Sequence, residues 1–414
     1  MKPSAGRRPI YMDHAATTPV DPLAAQAMAG CLTADGVFGN PASAGHAWGD
    51  AAAFRVDSAR RQVAALVNAD PAGVIWTSGA TESINLAVLG VVRFAMARGR
   101  GRHVITARTE HSATLAACAQ LEREGARVTY LVPGTDGAIP VQAVLDALRD
   151  DTVLVSLMHV NNETGVLHPV RETAAHLAEH PAVFHVDAAQ SAAFLSLDVG
   201  WGVDLLSLSS HKFYGPKGVG ALYVRHRPRL RLQPLMFGGD QEQGMRPGTL
   251  AVHQLVGMGE AAALVLQRRD ADRWRLDGLT RRLEQGLLDL EGVVINGRAE
   301  RAPHILNVSF IGVHGESLAL ALEGIGLSLG SACTSASATA SHVLRAMGVA
   351  DGLALASFRF SLGRWTREED VDEVLARVAT ALAEQRRRTT VWADYRSGTP
   401  VADLYGTDAG EAAG

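Results

Sequence analysis

At 414 residues, with 47% hydrophobic and 20% charged side chains, the chain has the composition of a soluble globular protein and is too long for one simple core, which points to two domains. A formal net charge of −4 gives no electrostatic footprint for nucleic acid or for an acidic membrane surface. Three cysteines without C-x-x-C spacing argue against a disulfide framework and a zinc site, so no metal is expected and a reducing cytoplasmic setting is.

The first stretch, "MKPSAGRRPIYMDH", has no apolar h-region and no cleavage signature, so no secretory leader is expected. Strand and helix patterns then alternate. "VIWTS" precedes a helical pattern over about 81–98, and "HVITAR" precedes another over about 113–124. Within the first of these, "INLAVLGVVRFAMA" is interrupted by Arg93 and is too short to span a bilayer. "RVTYLV", "TVLVSLMHV" and "VFHVD" follow, separated by helical segments at about 141–148 and 171–178, and Leu205, Leu206 and Leu208 read as a further buried strand. This rhythm predicts an α/β fold with a mostly parallel sheet covered by helices on both faces. Ligands of such sheets sit outside the carboxyl ends of the strands. From about Leu250 the helical periodicity lengthens, and shorter strands return at "GVVING", "ILNVSF" and "SFRFSL" before a helix over about 367–386. A second, smaller α+β domain is expected there. The run Arg386-Arg387-Arg388 reads as a solvated helix end, and the tail after Gly406 as disordered.

Polar residues gather at the predicted strand ends. "TSGATES" closes a strand, turns on Gly79 and opens a helix at about Thr81, where free N–H groups and the helix dipole receive anions; a simple capped helix start is the plain alternative. No G-x-x-x-x-G-K-[ST] is present, which disfavours a nucleoside triphosphate. Asp187 leaves a buried strand and needs a partner: a helix cap, an arginine or a cationic ring nitrogen. His111 lies just past "HVITAR", Asn162 just past "VLVSLMHV", and Lys212 just past the leucine strand, where Gly215, Pro216 and Gly218 forbid a helix. A solvated surface lysine is the ordinary fate of Lys212 taken alone. Taken together, these residues can serve one cofactor: a lysine holds pyridoxal phosphate as a Schiff base, an aspartate keeps its ring nitrogen protonated, and a helix N-terminus holds its phosphate.

The chain resembles the fold-type I, pyridoxal-phosphate-dependent cysteine desulfurases of the class V aminotransferase superfamily, in their long-loop, iron–sulfur assembly group. The motifs that carry the resemblance are "YMDHAATTPVDP", "FGNPASAGH", "TSGATES", "TEHSA", "MHVNNETGV", "HVDAAQS", "SSHKFYGPKG", "RPGTL", "GSACTSAS" and "FRFSLGR". It implies a large cofactor-binding domain over 17–265 and a small domain over 1–16 and 266–406, with 407–414 as the tail. By the same resemblance Lys212 is the Schiff-base lysine, His111 stacks on the ring and moves protons, Asp187 meets the ring nitrogen and Gln190 the phenolic oxygen. Thr81, Ser209 and His211 hold the phosphate, with Ala80 lending backbone, and Thr249 reaches the phosphate of a neighbouring subunit, which implies a homodimer. Asn162 and Arg359 hold the substrate carboxylate; a guanidinium suits this because its fork meets both oxygens.

Cys333, in a run of small and hydroxyl residues without periodicity, corresponds to the nucleophilic cysteine of the mobile loop, whereas Cys31 and Cys118 lie in helical, apolar contexts and read as inert core thiols. The implied reaction converts L-cysteine to L-alanine, leaves a persulfide on Cys333, and passes sulfur to an iron–sulfur scaffold or another acceptor protein, including tRNA-thiolating enzymes. A selenocysteine substrate differs by one atom and stays open. A plain aminotransferase needs no thiol, and a non-catalytic scaffold needs none of these groups. Four departures from the family pattern stand out: Gln243 in place of arginine, Asp240 in place of glycine, "ATAS" in place of an acidic-Pro-Ser run after the cysteine, and Ser210 before "HK". Residues 391–406 carry Trp392, Tyr395, Leu404 and Tyr405 at spacings that do not fit one buried helix face. They read either as a tail packed on the small domain or, by resemblance, as a segment that docks a scaffold protein.

Overall fold

The computed structural model describes residues 8–329 and 339–406. Its centre is a seven-stranded sheet made of β1 (Val74–Thr77), β2 (His103–Ala107), β3 (Arg127–Leu131), β4 (Thr152–Met158), β5 (Val183–Asp187), β6 (Leu205–Ser209) and β7 (Gly220–Val224). In space they run β1-β7-β6-β5-β4-β2-β3. All pairings are parallel except those of β7, which runs antiparallel to both of its neighbours. Every residue of β2, β4 and β6 is buried, as expected for strands covered on both faces and read from continuous apolar runs. Helices α1 (Ala80–Met96) and α2 (Ser112–Arg123) follow β1 and β2, each within a residue or two of the expected bounds.

Register decides where the strand ends fall. Met158 at the end of β4 pairs with Asp187 at the end of β5, and Asp187 pairs with Ser207 of β6. The polar residues that follow each strand therefore emerge along one edge. Because β7 is reversed, its first residue, Gly220, starts at the same edge, opposite Ser209.

Helix α3 (Val252–Leu288) is a single helix of 37 residues, and the expected domain boundary between 265 and 266 falls inside it. The smaller sheet has four strands: β8 (Val293–Asn296), β9 (Ile305–Phe310), β10 (Ser328–Leu329) and β11 (Ser357–Ser361), all antiparallel. The N-terminal segment joins this half of the molecule, since Ile10 and Tyr11 pair in parallel with Ile325 and Gly326, and Asp13 bridges Ser361. Arg364 links the two halves: its guanidinium meets Asp21 at 2.7 Å and Asp272 at 2.9 Å, over the ring of Tyr214.

Lys212 lies just past the leucine strand, as expected, on the 3₁₀ turn Ser210–Lys212 that follows β6. Two expectations need correction. Cys31 is buried but lies in the turn after the helix Pro22–Ala29 rather than in a helix. Arg386, the last residue of α4 (Glu368–Arg386), is only 8% exposed, whereas Arg387 and Arg388 are solvated as expected. Its guanidinium caps strand ends, donating to the carbonyls of Ile311, Glu291 and Gly292 at 3.0, 2.7 and 2.9 Å. The C-terminal segment folds as two short helices, Thr390–Arg396 and Val401–Tyr405, against this half of the molecule. Trp392 stacks on Tyr395, and the Tyr405 hydroxyl accepts the Gly312 N–H at 2.9 Å.

Candidate active site

A cavity of about 500 Å³ lies at the carboxyl edge of the parallel strands, lined by Ala80, Thr81, His111, Asn162, Asp187, Gln190, Ser209, His211, Lys212 and Arg359 among others. Thr249 is exposed and outside this lining. Cys333 falls within 330–338 and lies outside the described residues.

Lys212 Nζ donates to the carbonyl of Ala16 at 3.0 Å and to that of Ala15. Burial and the nearby Arg359 guanidinium push its ammonium down to about 8, against the opposing pull of Asp187 and Asp13. A sizeable minority of the amine is then neutral near physiological pH, the state a nucleophilic lysine requires.

Asp187 is buried at the end of β5, and its Oδ1 accepts the Ala189 N–H at 2.9 Å. Burial raises its pKa, offset by that amide and by the charges of His111 and Lys212. Among the described residues no cationic side chain forms an ion pair with it, so this carboxylate fits a cationic ring nitrogen of a ligand. His111 caps α2: its Nδ1 accepts the Ala113 N–H at 3.1 Å, which places the ring proton on Nε2. Burial lowers its pKa and favours the neutral ring.

The other end of the cavity suits an anion. Helix α1 begins after Gly79, whose φ of 151° favours glycine, and no side chain caps its first turn. The first-turn N–H groups, the hydroxyls of Thr81 and Ser209, and the His211 ring all border this space. His211 faces Thr17 Oγ1 through Nδ1 at 3.1 Å, and burial pushes its pKa down to about 4, so the ring is a neutral hydrogen-bonding group. Lys217, missed in the sequence although it stands in the same "HKFYGPKG" motif, lines the cavity as well. An amine, a carboxylate without a cation and an uncapped helix start are the three fittings that pyridoxal phosphate needs, and they meet in one cavity.

Arg359, on β11, donates through Nη1 to the Asn162 carbonyl at 2.7 Å, so these two expected carboxylate ligands are brought together. Asp13 and Ser328 hold its other nitrogen, each at 2.8 Å. Nothing in the sequence pairs position 13 with position 359 except that both stand in family motifs. Of the departures, Gln243 turns away from the cavity, donating to the Ala72 carbonyl at 2.8 Å, and neither it nor Asp240 lines the cavity. Ser210 is fully buried, and its hydroxyl has no partner among the described residues.

The aminotransferase class-V family model matches residues 10–374. The chain belongs to the class-V aminotransferase family. Among the relatives of this class-V chain is the cysteine desulfurase IscS of Shewanella woodyi, 53% identical over 96% of this chain and 98% of that protein. A NifS-like protein of known structure superposes with a TM-score of 0.83 at 33% identity, covering 91% of this chain and 100% of its own. A second solved structure, SspA in complex with cysteine, superposes with a TM-score of 0.76 at 34% identity over 86% of this chain and 100% of its own. Among the described residues no helix is long and apolar enough to cross a membrane.

Proposed function

We propose that the chain is a pyridoxal-phosphate-dependent cysteine desulfurase that converts L-cysteine to L-alanine and leaves the sulfur as a persulfide on Cys333. The observation that carries this reading is the convergence of Lys212, Asp187 and the uncapped start of α1 on one cavity that also holds Arg359. The N–H groups of Ala80 and its neighbours, with Thr81, Ser209 and His211, would hold the phosphate. Asp187 would face the ring nitrogen, Gln190 the phenolic oxygen, and Lys212 would carry the covalent link. Bound there, the cofactor supplies a sink for the electron pair left when the substrate Cα loses its proton. Arg359 and Asn162 would orient the substrate carboxylate, and the Lys212 amine would take the Cα proton. The Cys333 thiolate attacks the substrate sulfur; the S–S bond forms as the C–S bond breaks, and the carbon end is reprotonated as alanine. Neutral His111, with its proton on Nε2, serves as the second proton-transfer group.

The reading includes a homodimer, in which Thr249, exposed and outside its own cavity, would reach the phosphate site of the neighbouring subunit. The segment before it is pinned: Glu242 accepts from Arg60 at 2.7 Å and from the Trp76 N–H at 2.8 Å, and Arg246 meets Glu82 at 2.9 Å. Such anchoring suits a residue that completes a neighbour's phosphate site. The sulfur acceptor is an iron–sulfur scaffold protein or another thiolation partner in the cytoplasm, with no nucleic acid or membrane contact of the enzyme's own.

The deciding experiment is Cys333→Ser on the holoenzyme. It keeps the bound cofactor and still binds L-cysteine but forms neither persulfide nor alanine, while Cys31→Ser and Cys118→Ser stay active. Normal alanine production by Cys333→Ser sinks the nucleophile assignment.

A further inference from the structure

Residues 13–16 touch three members of the site at once. The carbonyls of Ala15 and Ala16 accept from Lys212 Nζ, and Gln190 Nε2 donates to the Ala15 carbonyl at 2.8 Å. Two residues earlier, Asp13 Oδ1 accepts from Arg359 Nη2 at 2.8 Å and from the Ser328 hydroxyl at 2.8 Å, while Ser328 Oγ itself accepts from Arg359 Nη2 at 2.8 Å. Backbone pairing holds this triangle in place before any side chain engages: Ser328 lies opposite Arg359 in the β10–β11 register, and Asp13 bridges Ser361, two residues along β11.

We propose that Asp13 is a positioning residue for recognition of the substrate carboxylate, fixing the Arg359 guanidinium through a one-pronged contact that it shares with Ser328. This rests on the reading that Arg359 takes that carboxylate. The contact uses one oxygen of Asp13 and one nitrogen of Arg359. Three of the five guanidinium N–H donors are engaged, by Asn162, Asp13 and Ser328, and Nη1 makes only one of these bonds, so the group keeps donor capacity for a substrate carboxylate. An unrestrained arginine loses side-chain entropy on gripping a ligand. Asp13, Ser328 and the Asn162 carbonyl have already taken up that loss in the folded protein. The Asp13 and Arg359 side chains are only 19% and 12% exposed, so solvent screens the pair weakly. The Asp13 charge also opposes the depression that Arg359 imposes on the Lys212 amine, so one carboxylate tempers both cations of the cavity.

The test compares ligands with and without the carboxylate on the holoenzyme. Asp13→Asn is expected to raise KM for L-cysteine about tenfold with kcat held within about twofold. Inhibition by cysteamine, which is L-cysteine without its carboxylate, should be unchanged. Ser328→Ala, which leaves the ion pair but removes the shared hydroxyl, is expected to raise KM about threefold, and it keeps the question decidable if Asp13→Asn does not fold. Unchanged KM in the variants that fold, or equal weakening of L-cysteine and cysteamine, overturns the proposal. Arg359→Lys separates it from the reading beneath: if that variant also binds L-cysteine normally, the carboxylate assignment itself fails. If Arg359→Lys loses L-cysteine selectively while Asp13→Asn and Ser328→Ala do not, only the role of Asp13 is lost.

Discussion

The guanidinium of Arg386 lies 3.9 Å from the centroid of the Trp392 ring while its N–H groups bind three backbone carbonyls. Burial lowers the Arg386 pKa to about 10, still far above neutrality, so the group stays charged and the ring sits over a permanent cation. Trp392 also covers Gly292 and Gly312, where an added Cβ would meet the indole at 2.6 Å and the Trp392 Cβ at 2.8 Å respectively. Trp392→Ala is therefore expected to cost about 2 kcal/mol of stability from lost packing and cation–π contact. Because no cavity residue lies in this segment, KM for L-cysteine should not change. Chemical denaturation together with steady-state kinetics checks both halves. A scaffold-docking role would show separately, as impaired sulfur transfer in a variant whose alanine formation is normal.

The Lys212 amine sets a second expectation. Apoenzyme mixed with pyridoxal phosphate and quenched with borohydride should incorporate cofactor at a rate that rises with pH and levels off above about 8, where the amine is mostly neutral. A rate still climbing through pH 10 would show an ordinary solvated lysine. Lys212→Ala should fix no cofactor at any pH and should not turn over.

Acid should destabilise the fold through its neutral histidines. Burial pushes His14, His159, His168 and His211 down to about 4, and His185 and His304 down to about 3. The unfolded chain protonates these rings near 6.5, so below that pH it binds more protons than the folded chain and stability falls as pH drops from about 6.5 towards 4. Each such group adds up to about 1.4 kcal/mol per pH unit to the slope. Unfolding free energies measured from pH 8 to pH 4.5 test this: a flat profile below pH 6.5 contradicts it.

Ser210→Ala should stabilise. The hydroxyl is buried and unpartnered, and such a group costs about 1–3 kcal/mol, so its removal should recover on the order of 1 kcal/mol once the lost packing is subtracted. A lower denaturation midpoint would mean that the hydroxyl has a partner after all.

Much of this was legible in the sequence, for a physical reason. Strands buried on both faces, such as β4 with its run Val153–Leu154–Val155, declare themselves as continuous apolar stretches, and the residue that follows must emerge at a strand end. Hence His111, Asn162, Asp187 and Lys212 could be placed at one edge without coordinates. Strand order and the reversal of β7 could not be read, because they depend on which strands pair and not on the pattern within any strand. The partners of Arg359 were hidden likewise: Asp13 is 346 residues away in sequence. Arg386 misled because a basic run at a helix end is usually solvated, whereas here the orphan carbonyls of neighbouring strand ends draw one of its members inside.

Helix α3 spans 37 residues, about 55 Å at the usual rise, and it runs without a break through the point where the two halves of the molecule meet. Val256 and Val265, in its first half, and Leu276 and Leu283, in its second, all belong to one contiguous apolar cluster. The junction is thus a beam rather than a hinge of loose chain. Neither half can melt while the other stays intact without baring a flank of the same rod. Heating should therefore produce one endotherm in a calorimeter instead of two, and a protease should find no soft linker along α3 at which to part the two halves.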